Sequence, residues 1–374
     1  MIYLDSAATT LQKPIAVCEA VKKAVRTLAS PGRGGYQPSM DAADTVFACR
    51  EEAANLFHVQ DPEQVVFTFN ATHGLNIAIR SLIKPGERVI ISGYEHNAVT
   101  RTLASIPGIT LSIARSSLFE KEETVEAFRK ELELGADVAI CTHVSNVFGF
   151  ILPIEEISDL CRKYNVKFIL DASQSAGCIP IDFQKLEADF VAMPGHKGLY
   201  GPQGTGILLC KGQTKPFIFG GTGSDSALQT MPDFLPDRLE AGTHNVPGIA
   251  GLLEGLRYLR RRGVENIGER ERQLIIHAKK QLSELETVQV FFGEKDVQSG
   301  VLSFRLDGID CEVLARLLSE KGFALRAGLH CAPEAHKSAG TLDTGTVRLS
   351  VSDFNTETEI DAFINNLKQI LKEE

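Results

Sequence analysis

The chain of 374 residues is long enough for one large domain and a smaller one. Hydrophobic residues make up 43% and charged residues 23% of it, a composition typical of a globular protein. The formal net charge is -9 and no basic run occurs, which excludes a protein that coats nucleic-acid phosphates.

No segment predicts export or membrane insertion. Acidic Asp5 stands where a secretory signal would carry basic residues, and no apolar run approaches the ~20 residues of a membrane span. We therefore expect a cytoplasmic protein without membrane contact. The eight cysteines are scattered without a CxxC pair, so neither a disulfide framework nor a structural zinc site is expected. Most of them, such as Cys141 and Cys210, follow apolar residues and are expected in the core.

Short β-branched runs alternate with amphipathic stretches over the first 210 residues. Seven strands are predicted at 64–69, 88–92, 109–113, 137–142, 167–170, 189–193 and 206–210. Helical patterns lie between them, notably at 74–83 and 123–134. This alternation predicts an α/β fold with a mostly parallel seven-stranded sheet that is covered on both faces.

The pattern changes near residue 250, where a helix over 249–262 leads into fewer strands. Strands are predicted at 300–306, 324–326 and 346–351, and helices at 311–321 and 356–371. We therefore expect a large domain over 11–250 and a smaller α/β domain over 251–374, joined by the N-terminal segment 1–10.

Polar residues follow five of the apolar runs at the points where the predicted strands end. They are Asn70-Ala71-Thr72-His73, Glu95-His96-Asn97, His143 to Asn146, Asp171 to Gln174, and Gly195-His196-Lys197. Ligands of open parallel sheets bind beyond the carboxyl ends of the strands. Because these five segments share that edge, together they predict one active site.

Lys197 and Asp171 are the central residues of this predicted site. A lysine inside a glycine-rich turn can hold its amine against a ring-bound aldehyde as a Schiff base, although a surface lysine would look the same in isolation. Asp171 ends an apolar strand, where a carboxylate needs a cationic partner such as a pyridinium nitrogen. Asp171 is equally suited to cap a helix, and the two roles are compatible.

Three further residues have simple chemical roles available. Thr72 lies at a predicted helix N-terminus, where free N–H groups and its hydroxyl form a phosphate cradle. His96 can stack on a cofactor ring or exchange protons, and without its neighbours it would be an ordinary core histidine. Arg348, on the strand 346–351, offers a planar guanidinium that matches a carboxylate, or it is a plain strand-edge arginine.

Several motifs resemble those of the class V aminotransferase superfamily. They are Gly195-His196-Lys197 with Gly204-Thr205-Gly206, Asp171-Ala172-Ser173-Gln174, the opening Tyr3 to Thr10, His143 to Gly149, and Leu239 to Asn245. The resemblance extends from Tyr3 to about Asn355. It implies the fold type I of pyridoxal-phosphate (PLP) transferases.

The segment Arg326 to Ala332 is similar to the catalytic loop of the group II (Suf-type) cysteine desulfurases and selenocysteine lyases. Leu329 stands where these families usually have the first of two histidines, and the continuation Pro333 to Lys337 is also unusual. Cys331 lies among Gly328, His330 and Pro333, which predicts an exposed loop, unlike the core cysteines. A metal site built from His330, Cys331 and His336 is the rival interpretation, and it has too few local ligands.

The resemblance implies a role for each matching residue. Lys197 would carry the cofactor, Asp171 would pair with its ring nitrogen and Gln174 with its phenolic oxygen, and Cys331 would take the sulfur. His96 would stack on the cofactor ring. The cofactor phosphate would be contacted by Ala71, Thr72 and His196, and by Thr243 from a partner subunit. The substrate would be surrounded by Ala8, Asn146, Arg326 and Arg348, and Asn146 would also contact the cofactor.

The sequence therefore predicts a PLP-dependent cysteine desulfurase that converts L-cysteine to L-alanine and passes sulfur from Cys331 to a protein acceptor. The implied assembly is a homodimer. The alternatives on the same fold are a selenocysteine lyase that acts on L-selenocysteine, a cysteine-sulfinate desulfinase, an aminotransferase and an epimerase. A PLP-binding protein without turnover is the alternative from a different class. No metal is expected.

Overall fold

The computed structural model describes residues 1–32, 34–293 and 295–373. Its strands are β1 (Ile2–Tyr3), β2 (Val65–Thr68), β3 (Arg88–Ser92), β4 (Thr110–Ala114), β5 (Val138–Thr142), β6 (Lys167–Asp171), β7 (Phe190–Pro194), β8 (Gly206–Cys210), β9 (Val288–Phe291), β10 (Val301–Leu306), β11 (Phe323–Ala324), β12 (Arg326–Gly328) and β13 (Thr346–Ser350).

The α-helices follow the pattern of amphipathic stretches. They are α1 (Ile15–Thr27), α2 (Gln37–Leu56), α3 (Ala71–Leu82), α4 (Asn97–Ala104), α5 (Lys121–Glu133), α6 (Ile154–Lys163), α7 (Phe183–Leu186), α8 (Val246–Arg262), α9 (Val264–Leu282), α10 (Cys311–Glu320), α11 (Pro333–Ala339) and α12 (Glu357–Glu373). Among the described residues, no helix combines the length and apolar character that crossing a membrane requires.

Seven strands form the central sheet in the order β2-β8-β7-β6-β5-β3-β4. Every neighbouring pair is parallel except the two pairs that include β8, which runs against β2 and β7. Strands β5 and β7 are buried along their whole length because core side chains lie on both faces of the sheet. The predicted α/β fold with a mostly parallel seven-stranded sheet is confirmed.

A second, antiparallel sheet has the order β12-β13-β10-β9 and packs against α9, α10 and α12 around its own apolar core. The predicted single strand at 324–326 is wrong. Ala324 belongs to β11, which pairs with β1, whereas Arg326 begins β12, which pairs with β13. The predicted strand is divided because Ala324 pairs with the N-terminal strand β1, whereas Arg326 pairs with β13.

Helix α8 crosses the predicted domain boundary at residue 250. It begins at Val246, capped by the side chain of Asn245, which accepts from Gly248 N at 3.0 Å. It packs against both α1 and α2, and α9 follows it after Gly263. The division into domains at residues 250 and 251 stays a prediction.

The N-terminal segment joins the two large sheets. Leu4 N donates to Ala324 O and Leu4 O accepts from Ser350 N, each at 2.9 Å. Six residues later, Thr10 N donates to His196 O at 3.1 Å, in the turn that follows β7. One short segment thus fixes the position of the second sheet relative to the edge of the first.

Candidate active site

A cavity with a volume of about 100 Å³ lies at the carboxyl edge of the central sheet. Its lining residues include Asn70, Ala71, Thr72, His96, Thr142, Asn146, Asp171, Ser173, Gln174, His196 and Lys197. All five polar segments predicted from the sequence contribute to it. They come together because parallel strands β3, β5, β6 and β7 end at the same edge.

Asp171 is the last residue of β6 and is buried. Its Oδ1 accepts from Ser173 N at 2.9 Å and from Ser173 Oγ at 2.5 Å. No lysine or arginine in the described part of the chain forms an ion pair with it. A buried carboxylate without a cationic partner carries a large desolvation cost. Asp171 is therefore suited to bind a positively charged group of a ligand.

Lys197 lies three residues beyond β7, in a turn where the next residue, Gly198, has no room for a side chain. A Cβ at Gly198 would stand 2.3 Å from Ala176 O, which forces the turn close to the segment after β6. The Lys197 side chain is half-buried, and its amine makes no hydrogen bond or ion pair to a described residue. Burial lowers the pKa of Lys197 to about 8, and the negative charge of Asp171 opposes that shift.

The N-terminal segment holds the backbone of this turn. Thr10 Oγ1 donates to Lys197 O at 2.8 Å, and Lys13 Nζ donates to His196 O at the same distance. The His196 ring meets Thr9 Oγ1 through Nδ1 at 3.0 Å. Burial and the charges of Lys197 and Lys13 lower the pKa of His196 to about 4, so its ring is neutral at physiological pH.

Helix α3 begins at the opposite wall of the cavity. Asn70 caps it, because Oδ1 accepts from His73 N at 2.9 Å. The N–H groups of Ala71 and Thr72 are at the first two helical positions, where no intrahelical acceptor exists. Together with the exposed Thr72 side chain, they form a cradle suited to an anion.

His96 caps the next helix, α4. Its Nδ1 accepts from Ala98 N at 3.0 Å, so the proton of the neutral ring is on Nε2. Burial lowers the pKa of His96, while Asp171 raises it by a smaller amount. Because α4 fixes the tautomer, Nε2–H is the group that His96 can offer to a ligand in the cavity.

Glu95 lies beneath His96 and is fully buried. Its Oε1 accepts from Ser92 Oγ at 2.5 Å and from Thr142 N at 2.8 Å, which ties the ends of β3 and β5 together. Oε2 has no partner among the described residues. Burial raises the pKa of Glu95 to about 8, so the carboxyl group is largely protonated at neutral pH.

The loop that carries Cys331 is docked over this part of the site. Asn97 N donates to Cys331 O and Asn146 Nδ2 donates to His330 O, each at 2.7 Å. His330 and Cys331 both have left-handed backbones, with φ of 49° and 57°, a costly conformation outside glycine. These two contacts stabilise the strained loop, and the Cys331 side chain is exposed as the sequence predicted.

His330 and His336 are buried neighbours whose ring centroids are 5.9 Å apart. His330 Nε2 bonds to Thr346 O at 3.1 Å, and His336 Nδ1 bonds to Thr341 Oγ1 at 2.8 Å. Among the residues that the structure describes, no group of three or more histidine, cysteine or acidic side chains comes together as a metal site. The predicted lack of a metal stays a prediction.

Arg348 is buried and already has partners. It donates from NH2 to Asp5 Oδ1 at 2.6 Å and from NH1 to Asn146 O at 2.9 Å, while its Nε is without a partner. Arg326 is its cross-strand neighbour on β12, exposed and without a hydrogen bond or ion pair to any described residue. The two guanidinium groups therefore differ. That of Arg348 is held by hydrogen bonds, whereas that of Arg326 is exposed to solvent.

Gln174, Ala8 and Thr243 have other surroundings within the chain, and their implied contacts with a ligand or a partner subunit stay predictions. Gln174 lines the cavity, but its Nε2 donates to Ala7 O at 3.0 Å. Ala8 is in a turn closed by its N–H to Asp5 O and does not line the cavity. Thr243 is exposed and borders a different depression, beside Phe69.

Asp5 and Glu95 are site residues that sequence reasoning did not single out. Asp5 lies in a motif that was recognised, yet its pairing with a residue 343 positions away leaves no local signal. Glu95 precedes His96 and was noted only as part of a polar cluster. For Glu95 the available signal was an acidic residue three positions beyond the apolar strand β3.

The chain matches the family Aminotransferase class-V over residues 2–363. It therefore belongs to the class V aminotransferase family.

Several relatives that match this chain over nearly its whole length are named cysteine desulfurase or probable cysteine desulfurase. It is 31% identical to a "Probable cysteine desulfurase" of Pyrococcus abyssi, over 100% of this chain and 94% of the relative. It is 33% identical to another of that name from Haemophilus influenzae, over 99% and 86% of the two chains. The apo structure of a cysteine desulfurase from Thermococcus onnurineus superimposes with a TM-score of 0.91 at 30% identity, covering 100% of this chain and 95% of that one.

The lowered pKa of Lys197 can be measured in the cofactor-free protein. Its amine should react with an amine-specific reagent with a half-maximal rate near pH 8, well below the ~10.4 of an ordinary lysine. Asp171→Asn should move this midpoint to lower pH because it removes the charge that favours the ammonium. Peptide mass spectrometry over a pH series measures both effects, with Asp159→Asn on the exposed face of α6 as the control. A half-maximal rate near pH 10 for Lys197 in the wild-type protein would contradict the lowered pKa.

Proposed function

We propose that the protein is a PLP-dependent cysteine desulfurase that converts L-cysteine to L-alanine and collects the sulfur on Cys331. One observation carries the proposal. An exposed cysteine sits on a strained loop that hydrogen-bonds to Asn97 and Asn146, beside a cavity that holds Lys197 and an unpaired Asp171. The names of the relatives support the same activity.

The residues around the cavity fit the cofactor. The N–H groups of Ala71 and Thr72 would hold the phosphate, and Asp171 would pair with the ring nitrogen. Lys197, whose amine has no competing partner, would hold the aldehyde carbon. When bound, the cofactor stores the electron pair that the substrate's α-carbon releases.

The chain's own side chains perform the remaining tasks. Lys197 can take up the α-proton near neutral pH because its lowered pKa leaves part of the amine unprotonated. Arg348 and Asn146 would bind the α-carboxylate, and the bond from Arg348 to Asp5 fixes the guanidinium in place. The exposed guanidinium of Arg326 would bind the same carboxylate from the solvent side.

Sulfur transfer is assigned to Cys331. Its thiolate attacks the sulfur of L-cysteine, a sulfur–sulfur bond forms, and the carbon–sulfur bond breaks. The β-carbon receives a proton and L-alanine leaves, while the persulfide stays on Cys331 for a protein acceptor. The exposed position of Cys331 leaves it accessible to such an acceptor.

An assay that measures the sulfide and L-alanine released from L-cysteine distinguishes the proposed function from other activities on this fold. A selenocysteine lyase would act on L-selenocysteine, and a desulfinase, an aminotransferase or an epimerase would give products other than sulfide and alanine in equal yield. A PLP-binding protein without turnover would release neither product. The cytoplasmic location expected from the sequence stays a prediction.

A homodimer with shared sites is part of the proposal. Thr243 borders a depression separate from its own chain's cavity, and the segment before it is anchored in the protein. Glu240 pairs with Arg50 through two bonds of 2.8 and 2.7 Å and accepts from Phe67 N at 2.6 Å. Exposed apolar side chains occur in the same region, including Phe69 and Phe219, and a second copy would cover them.

Cofactor attachment should depend on Lys197. The protein mixed with PLP is expected to be yellow, with an absorption band that shifts when L-cysteine is added. Lys197→Ala should lose the covalent link that borohydride reduction traps, because no other amine faces the aldehyde. Lys13→Ala, which removes another amine near the turn, is the control and should retain the link. A colourless wild-type protein that takes up no PLP would refute the proposed function.

The Cys331 thiol should increase the rate of alanine release from L-cysteine more than the rate from L-selenocysteine. Cys331→Ala should lower alanine release from L-cysteine at least ~100-fold, which is about 2.7 kcal/mol of transition-state stabilisation. Release from L-selenocysteine should fall far less, because selenium is a better leaving group. Arg348→Ala should weaken both substrates alike, since both present the same carboxylate. Desulfuration by Cys331→Ala at the wild-type rate would show that Cys331 is not the acceptor.

Shared sites can be tested by mixing variants. Thr243→Ala and Lys197→Ala should each be weakly active, whereas a refolded mixture should regain up to about one quarter of wild-type activity. The gain arises because a mixed dimer has one site with both residues intact. Light scattering should give the mass of a dimer. A fully active monomer would contradict the proposal, and Thr222→Ala in the same loop serves as the control.

A further inference from the structure

A second cavity lies directly behind Lys197 and separates the active site from α9. It shares Lys197, Gln174 and Ser173 with the first cavity. Its far wall is formed by Glu271 of α9 and by Ser299. The volume of about 30 Å³ is enough for about two water molecules.

The walls of this second cavity carry polar groups that have no partner in the protein. The hydroxyl oxygens of Ser6 and Ser299 are buried without a hydrogen bond to any described residue. Glu271, only 7% exposed, likewise forms no hydrogen bond or ion pair there. Buried polar groups are nearly always satisfied, so these three point to water molecules that bridge them.

Glu271 is held against the cavity by close packing. A Cβ at Gly300 would lie 2.7 Å from Glu271 Oε2, so the glycine provides the space for the carboxyl group. One turn earlier on α9, a Cβ at Gly268 would lie 2.0 Å from Cys178 O, which fixes the distance between the helix and the turn at Cys178. The carboxyl group therefore cannot be displaced easily from its position.

The second cavity also opens toward solvent on its other side. A surface groove shares Cys178, Glu271, Ser299 and Gly300 with it. The rim of the groove is formed by exposed Glu265, Glu269 and Asp296. Glu271 is thus the one acidic side chain that lines both the second cavity and the groove within the described part of the chain.

We propose that Glu271 relays protons between this groove and the amine of Lys197 through water in the second cavity. The inference rests on the proposed function, in which Lys197 exchanges protons with the substrate. Outward, the Lys197 ammonium gives a proton to water, a water proton passes to the Glu271 carboxylate, and the resulting acid releases its proton to the groove. Inward transfer is the reverse, so charge is balanced and no electrons move.

The charges around Glu271 suit a relay. Burial and the negative charge of Asp353 raise the pKa of Glu271 to about 8, so both protonation states are accessible near neutral pH. Tyr200 and Cys178 line the second cavity beside it, both uncharged because burial raises their pKa, and Arg272 lines the groove. Asp353 is itself paired with Arg262 and Arg270.

The first experiment uses the cofactor-free protein and no substrate. Glu271 keeps its proton up to about pH 8 when folded but loses it near pH 4.5 when unfolded, so its contribution to stability is full below pH 4.5 and declines as the pH rises to 8. Glu271→Gln does not titrate. The thermal unfolding midpoint of Glu271→Gln minus that of the wild type should therefore increase between pH 5 and 8. For Glu269→Gln the same difference should stay constant with pH. A parallel course for Glu271→Gln would overturn the proposal.

The second experiment follows exchange of the α-hydrogen of L-alanine in D2O by NMR, with PLP-loaded protein. Glu271→Gln should exchange about tenfold more slowly than wild type, with an unchanged absorption band, and Glu269→Gln should stay within about twofold. Glu271→Asp, which restores a carboxyl group, should recover most of the rate. Wild-type exchange in Glu271→Gln, or equal slowing in Glu271→Asp and Glu271→Gln, would overturn the relay. A wild-type protein that binds no PLP would instead refute the proposed function and leave the first experiment intact.

Discussion

The segment from Leu4 to Thr10 connects the second sheet and Arg348 to the turn that carries Lys197. At one end its backbone pairs with Ala324 and Ser350, and its Asp5 carboxylate neutralises the buried Arg348. At the other end Thr10 holds the carbonyls of His196 and Lys197. Loss of a partner from a buried ion pair costs about 3–5 kcal/mol, so Asp5 is the principal constraint on where Arg348 stands relative to the cavity.

Burial sets the protonation of the groups that exchange protons. The pKa values of Lys197, His96 and His196 are all lowered, with desolvation as the largest cause. The same effect raises the pKa of Glu95 and Glu271 to about 8. Near neutral pH the two histidines are therefore neutral, part of the Lys197 amine is unprotonated, and Glu95 and Glu271 are largely protonated, an arrangement suited to moving protons.

Most of the central sheet could be predicted because its strands are buried on both faces and are therefore continuous apolar runs. Helix α2 was not predicted because its apolar residues do not form a regular stripe, and strand β9 was not predicted because it has only four residues. Helices α1, α4, α6 and α9 were not predicted either, although their amphipathic patterns could have indicated them. The wrong strand at 324–326 has a different origin. Whether Ala324 and Arg326 share a strand depends on pairing with β1, more than 300 residues away, and no local pattern reports that pairing.

The sequence by itself determined the class of fold and the residues at the sheet edge, because strand period, turn residues and motif spacing are local properties of the chain. It also identified Cys331 as exposed, from the glycine and proline around it. Only the tertiary structure decided the pairing of Asp5 with Arg348, the docking of the Cys331 loop on Asn97 and Asn146, and the cavity between Lys197 and Glu271. Each depends on residues that lie far apart in the chain, and their contact is set by how the layers pack rather than by any periodicity.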